Sequence, residues 1–124
     1  MGIDIYARRT LNKGERSDSQ MIDTMDAEPE ETAHLREAYF SGITSLHSFV
    51  GEAFTSPDGA QIPAATLRER LPDVLAVTEW RDSRLLGRSK AEVKSALRDI
   101  RKFVKACERI ERRSGTPATI QASW

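Results

Sequence analysis

One stretch near the end of the chain constrains its architecture more than any other. Ser89-Lys90-Ala91-Glu92 has the spacing of a capping box, in which the serine oxygen accepts from one orphan amide and the glutamate reaches back to another. Val93, Ala96, Leu97, Ile100, Phe103, Val104, Cys107 and Ile110 then recur at helical spacing for about five turns. Ser114-Gly115 ends the run and Pro117 bars its continuation, while Arg112 and Arg113 lie where the negative end of a helix favours cations. The pattern predicts a long helix over about 89–114. Such a helix is stable only if its apolar stripe lies on another layer.

The two ends of the chain supply that layer. Ile3, Ile5 and Ala7 alternate with Asp4, Tyr6 and Arg8, and Ile120, Ala122 and Trp124 alternate with Thr119, Gln121 and Ser123. A period of two with one apolar face is the mark of a half-buried strand. Chain ends fray unless something holds them, so two such segments predict that both termini enter one sheet. Residues 34–40 are a third strand candidate, although Leu35 and Tyr39 suit a helix equally.

Between these elements, Ile43, Leu46, Phe49, Val50, Ala53 and Phe54 have the spacing of a short amphipathic helix, with extended structure as the alternative. Ser56-Pro57-Asp58-Gly59 reads as a turn. Pro63 fits the first position of a helix that would turn Ala65, Leu67 and Leu71 inward. Pro72 is expected to break it and start a new segment carrying Val74, Leu75, Thr78 and Leu85 to the core. The expected fold is α+β: a small sheet including both termini, packed against two to three helices. With 124 residues, a single domain over 1–124 is expected, large enough to bury roughly two thirds of its unfolded surface.

Composition excludes several classes. One cysteine, Cys107, permits neither an internal disulfide framework nor a cysteine-based zinc site. No apolar run reaches the ~18 residues of a bilayer span. Met1-Gly2-Ile3-Asp4 lacks the basic start of a secretory signal, and Tyr6 stands where a myristoylation motif has Ser or Thr. A cytoplasmic protein with no membrane partner is expected.

The net charge of zero is a cancellation. Residues 1–16 carry +2, residues 17–80 carry −9, and residues 81–124 carry +7. A polar acidic segment over about 11–33 holds Asp18, Asp23, Asp26, Glu28, Glu30 and Glu31. On the last helix Lys94, Arg98, Arg101, Lys105, Arg109 and Arg112 fall within about 80° of one another, opposite the apolar stripe. Like charges at i,i+4 cost ~0.2–0.5 kcal/mol per pair, so stability alone does not account for the stripe. It can be an ordinary solvated face, meet the acidic segment of the same chain, or meet an anionic partner. Nucleic acid is one such partner, although no aromatic residues interleave with the cations for stacking.

Catalytic signatures are sparse. The seven glycines form no phosphate loop, and no Gly-x-Ser-x-Gly elbow is present. His34 and His47 lie thirteen residues apart, outside any metal-ligand spacing, and would need Glu37 or Glu52 and a fold-back to share a site. Cys107, on the apolar stripe, reads as an inert core thiol. Asp4, Tyr6, Arg36 and Tyr39 would form a polar face of the sheet able to hold a small molecule, or simply a self-satisfied surface.

The opening Met1-Gly2-Ile3-Asp4-Ile5-Tyr6-Ala7-Arg8 resembles a group of small uncharacterised bacterial and phage-borne proteins that begin with this phrase. The similarity continues in Leu35-Arg36-Glu37-Ala38-Tyr39, Glu52-Ala53-Phe54, Ile62-Pro63-Ala64, the last helix and Ser114-Gly115-Thr116-Pro117, about a third of the chain. No activity is established for that group, so the resemblance implies no functional residue, only a phage or mobile-element setting. The leading expectation is a non-enzymatic protein that inhibits a host defence system by stoichiometric protein–protein contact. The alternatives are a small-molecule or nucleotide binder using the sheet face and a nucleic-acid accessory protein using the basic helix. No catalytic residue, metal or cofactor is assigned, and the oligomeric state is open.

Overall fold

A computed structural model of the chain describes residues 2–10, 32–37 and 46–123. The elements run β1 (Ile3–Arg8), β2 (Thr32–Glu37), α1 (Leu46–Phe49), α2 (Gly51–Phe54), β3 (Ala60–Gln61), α3 (Ala64–Trp80), a π-helical turn (Arg81–Leu85), α4 (Lys90–Ser114) and β4 (Thr119–Ser123). The strands form one antiparallel sheet in the order β2-β1-β4-β3. The N-terminal and C-terminal strands are therefore central neighbours, Ile5 opposite Ala122 and Ala7 opposite Ile120. The architecture is α+β, as the sequence pattern predicts.

Alternation decides which face is covered. Ile3, Ile5, Ala7, Leu35 and Ile120 all point into the core, where they meet Phe103, Val104, Cys107 and Ile110 of α4 and Leu67, Leu71 and Val74 of α3. Phe49 of α1 meets Phe103 edge-on, ring centroids 6.2 Å apart. Each large side chain buried this way contributes ~1.5–3 kcal/mol.

The ends of α4 behave as written in the sequence. Ser89 Oγ accepts from the Glu92 amide at 3.1 Å, and Glu92 Oε1 accepts from the Ser89 amide at 3.0 Å. Gly115, at φ 82°, takes the left-handed conformation that closes the helix, its amide bonding to the Glu111 carbonyl at 2.7 Å.

Four expectations are corrected. Of the 43–54 segment, residues 43–45 lie outside the described residues and the rest is two single helical turns: Val50 leaves the helical region (φ −129°, ψ 40°) and Gly51, a poor helix former, follows it. Of the six residues its spacing turns inward, Leu46, Phe49, Val50 and Ala53 are buried and Phe54 is partly buried, while Ile43 lies outside the described residues. Pro72 does not break α3, which runs unbroken from Ala64 to Trp80. Pro72 is exposed while Leu71 and Val74 on either side are buried, so the core holds both halves and water can reach the carbonyl deprived of its amide partner. Pro63 caps α3 instead of opening it, and Ala64, not Ala65, turns inward. The Ala64 amide finds its acceptor across the fold, 3.3 Å away at Glu111 Oε1 of α4. Leu85 is 53% exposed, because the wider π turn shifts the helical phase and carries it off the core side.

Candidate binding surfaces

The polar face of the sheet is built by the β1–β2 register, which sets Asp4 opposite Arg36 and Tyr6 opposite His34. His34 Nε2 lies 2.8 Å from Asp4 Oδ1, and Arg36 Nη1 donates to Asp4 Oδ2 at 2.6 Å. The Tyr6 ring stacks on His34, centroids 4.9 Å apart and planes 20° from parallel. Partial burial pushes the Asp4 carboxyl pKa up, but the hydrogen bonds and charges of His34 and Arg36 outweigh it and hold the group below its ordinary value. A carboxylate with both oxygens engaged and its ionised form favoured is poorly suited to proton transfer at neutral pH. Three of the four residues named for this face thus come together, joined by His34. Tyr39 lies outside the described residues.

His47 takes no part in that cluster. It packs on Phe54 with centroids 4.1 Å apart, and Glu52 is held by Arg70 through two hydrogen bonds of 2.8 and 2.9 Å. The grouping of His34, His47 and Glu52 considered from sequence does not assemble. Among the described residues no three His, Cys, Asp or Glu side chains converge for a metal ion. Cys107 is buried, and desolvation pushes its thiol pKa up to about 12, so it is protonated and unreactive.

The cationic stripe stands out on α4. Lys94, Arg98, Arg101, Lys105 and Arg112 are exposed and Arg109 is half-buried. Among the described residues none of the six forms an ion pair; Arg98 reaches only Ser95 Oγ, at 3.2 Å. The reason lies in where the neighbouring acids point. Glu108 is held by Arg68 of α3 at 2.6 and 3.1 Å, and Glu111 caps α3 at Ala64. The acids in the second half of α4 therefore bind the two long helices together, and among the described residues the stripe is left without ion pairs. Of the acidic segment over 11–33, residues 11–31 lie outside the described residues.

A surface not anticipated from sequence sits where α3 gives way to α4. Val77, Trp80, Leu85 and Leu86 are exposed there, Trp80 to 54%. Glu79 and Ser83 from the same stretch of chain help line a groove of about 530 Å³ that also takes in Val93, Leu97, Lys94 and Arg101 of α4. The junction is rigidified by Asp82, which is fully buried. Its carboxylate accepts from Arg81 Nε at 2.9 Å and Arg88 Nη1 at 2.7 Å, and its carbonyl accepts from the Arg88 amide at 2.9 Å. The signal for this surface was legible: at 100° per residue, Trp80 falls roughly 150° from the mean direction of Leu67, Leu71, Val74 and Thr78. A large aromatic residue pointing away from its helix's core face is a surface residue with something to explain.

No helix among the described residues is long and apolar enough to cross a membrane. No protein-family model matches the chain, and no curated protein or solved structure shows significant similarity to it.

Proposed function

We propose that this is a non-enzymatic, cytoplasmic binding protein that acts by stoichiometric contact with another protein, through the exposed end of the α3–α4 pair and the adjoining cationic stripe. The observation that carries the reading is the junction of Trp80, Val77, Leu85 and Leu86 with a groove lined in part by Lys94 and Arg101. Tryptophan and arginine around an apolar centre are the composition of protein-binding hot spots. The charge specifies the partner's chemistry, an acidic surface with apolar side chains at its centre. The choice of a host defence protein as that partner rests on the resemblance of the opening residues alone.

The two alternatives have less behind them. A nucleotide on the sheet face would have to compete with His34 and Arg36, which already occupy both Asp4 oxygens. For nucleic acid, the stripe itself offers no aromatic residue on which a base could stack.

The test is capture from bacterial lysate by the wild-type protein, by Trp80→Ala, and by the charge-reversed pair Lys94→Glu and Arg101→Glu. All three should give the same far-ultraviolet circular dichroism, since these side chains are exposed. A partner bound one-to-one by the wild type and lost by both variants is the expected result. No stoichiometric partner, or one retained by both variants, refutes it.

A further inference from the structure

Among the described residues the sheet ends at β2, which pairs there with β1 alone. Residues 33–36 of β2 line a trough of about 620 Å³, together with Lys102, Lys105 and Arg109 of α4. Side chains of a strand alternate between faces, so a trough that touches four residues in succession follows the strand's edge and not one of its faces. An edge strand presents backbone N–H and C=O groups that an incoming strand can pair. The helix beside this edge is cationic, and Asp99 is the one carboxylate among the described lining residues. Among the described residues the buried Arg109 Nε has no acceptor, and a ligand's carboxylate would satisfy it.

We infer that this trough receives an extended acidic segment of a partner protein, which adds to β2 as a fifth strand. Main-chain hydrogen bonds hold such a segment, and its alternate acidic side chains meet Lys102, Lys105 and Arg109. The inference rests on the protein-binding reading above but uses a different part of the surface. A second copy of this chain is a poor occupant, because pairing two β2 edges would bring Arg36, Lys105 and Arg109 of one copy towards the same cations of the other. A nucleic acid would satisfy the cations but leave the backbone edge unpaired, since a sugar–phosphate chain offers no strand ladder.

The probe is a fluorescein-labelled, end-blocked hexapeptide alternating valine and glutamate, titrated by anisotropy at low salt and followed by amide chemical shifts of the labelled protein. Saturable one-to-one binding is expected, with the largest shifts at residues 33–36. Lys105→Glu combined with Arg109→Glu should weaken it at least tenfold, as should Lys102→Glu, whose exposed side chain leaves folding intact. N-methylation of alternate peptide residues should weaken it equally. Trp80→Ala should bind the peptide as the wild type does, so the result here stands apart from the test of the α3–α4 end. The inference is overturned by no saturable binding at millimolar peptide, or by binding indifferent to N-methylation. It is equally overturned by a single-stranded oligonucleotide of equal charge binding more tightly at these residues, or by self-association producing the shifts at 33–36 without peptide.

Discussion

Replacing Asp82 with alanine tests whether the junction between the two long helices is held by buried charge. The π turn over Arg81–Leu85 closes through an i→i+5 step, the Leu86 amide bonding to the Arg81 carbonyl at 3.0 Å, a geometry rare enough that support from neighbouring contacts is expected. Asp82 supplies it from a site with no solvent exposure, accepting from Arg81 Nε and Arg88 Nη1 at 2.9 and 2.7 Å. Removing one member of a buried ion pair costs ~3–5 kcal/mol, since the remaining charge stays desolvated. Arg81 and Arg88 keep further contacts, which puts the expected loss near the lower end, about 3 kcal/mol. For a chain of this length that is a fall in Tm of about 10 °C or more. Urea titration followed by circular dichroism measures it directly, with an unchanged m-value showing that the two-state transition persists. Arg88→Ala should cost less, about 1–2 kcal/mol, because its guanidinium is partly exposed. If Asp82→Ala loses under about 1 kcal/mol, the triad is incidental and helix packing alone sets the junction.

Two further outcomes follow from the same geometry. Gly59 closes its turn at φ 87°, and an added Cβ would stand 2.5 Å from Gln121 Cγ and 2.8 Å from the Ile120 carbonyl oxygen. Gly59→Ala should therefore lose more than about 1 kcal/mol by urea titration, whereas Gly87→Ala, with no atom within 4 Å of its Cβ, should lose only the backbone part. For pH, hydrogen bonds from Arg70 lower the Glu52 carboxyl pKa, and His34 and Arg36 outweigh burial to lower that of Asp4. A carboxyl lowered in the folded state contributes stability that is complete above its unfolded value and lost as pH falls through the folded one. The contribution of these two carboxyls should be level above about pH 5 and decline below their unfolded values of 3.8 and 4.5. Asp4→Asn with Glu52→Gln should flatten that decline by no more than ~1 kcal/mol per pair, since both lie near solvent; an unaltered slope would refute the assignment.

The candidate surfaces were legible to different depths. The stripe on α4 could be read from spacing because a long helix fixes the angular position of every residue on it. That Glu108 and Glu111 turn away from it could not, because both lie beside its cations in sequence. Their partners, Arg68 and the Ala64 amide, lie 40 and 47 residues away. Asp4, Tyr6 and Arg36 could be nominated from strand alternation, but His34 entered the cluster through a cross-strand register that no local pattern reveals. Asp82 gave no signal, since nothing in its neighbours distinguishes a buried aspartate from an exposed one.

By itself the sequence determined the elements whose causes are local. The two terminal strands came from alternation, the turn at Gly59 from its residue types, and α4 from a capping box, an apolar stripe and a C-terminal glycine. Only the tertiary structure decided what depends on distant neighbours. It carried α3 through Pro72, because burial of Leu71 and Val74 outweighs one lost backbone hydrogen bond. It made β1 and β4 central and left β2 at an edge beside a cationic helix. It also left the cations of the α4 stripe without an ion pair among the described residues, because ion pairing follows the distances between side chains in space and not their order along the chain.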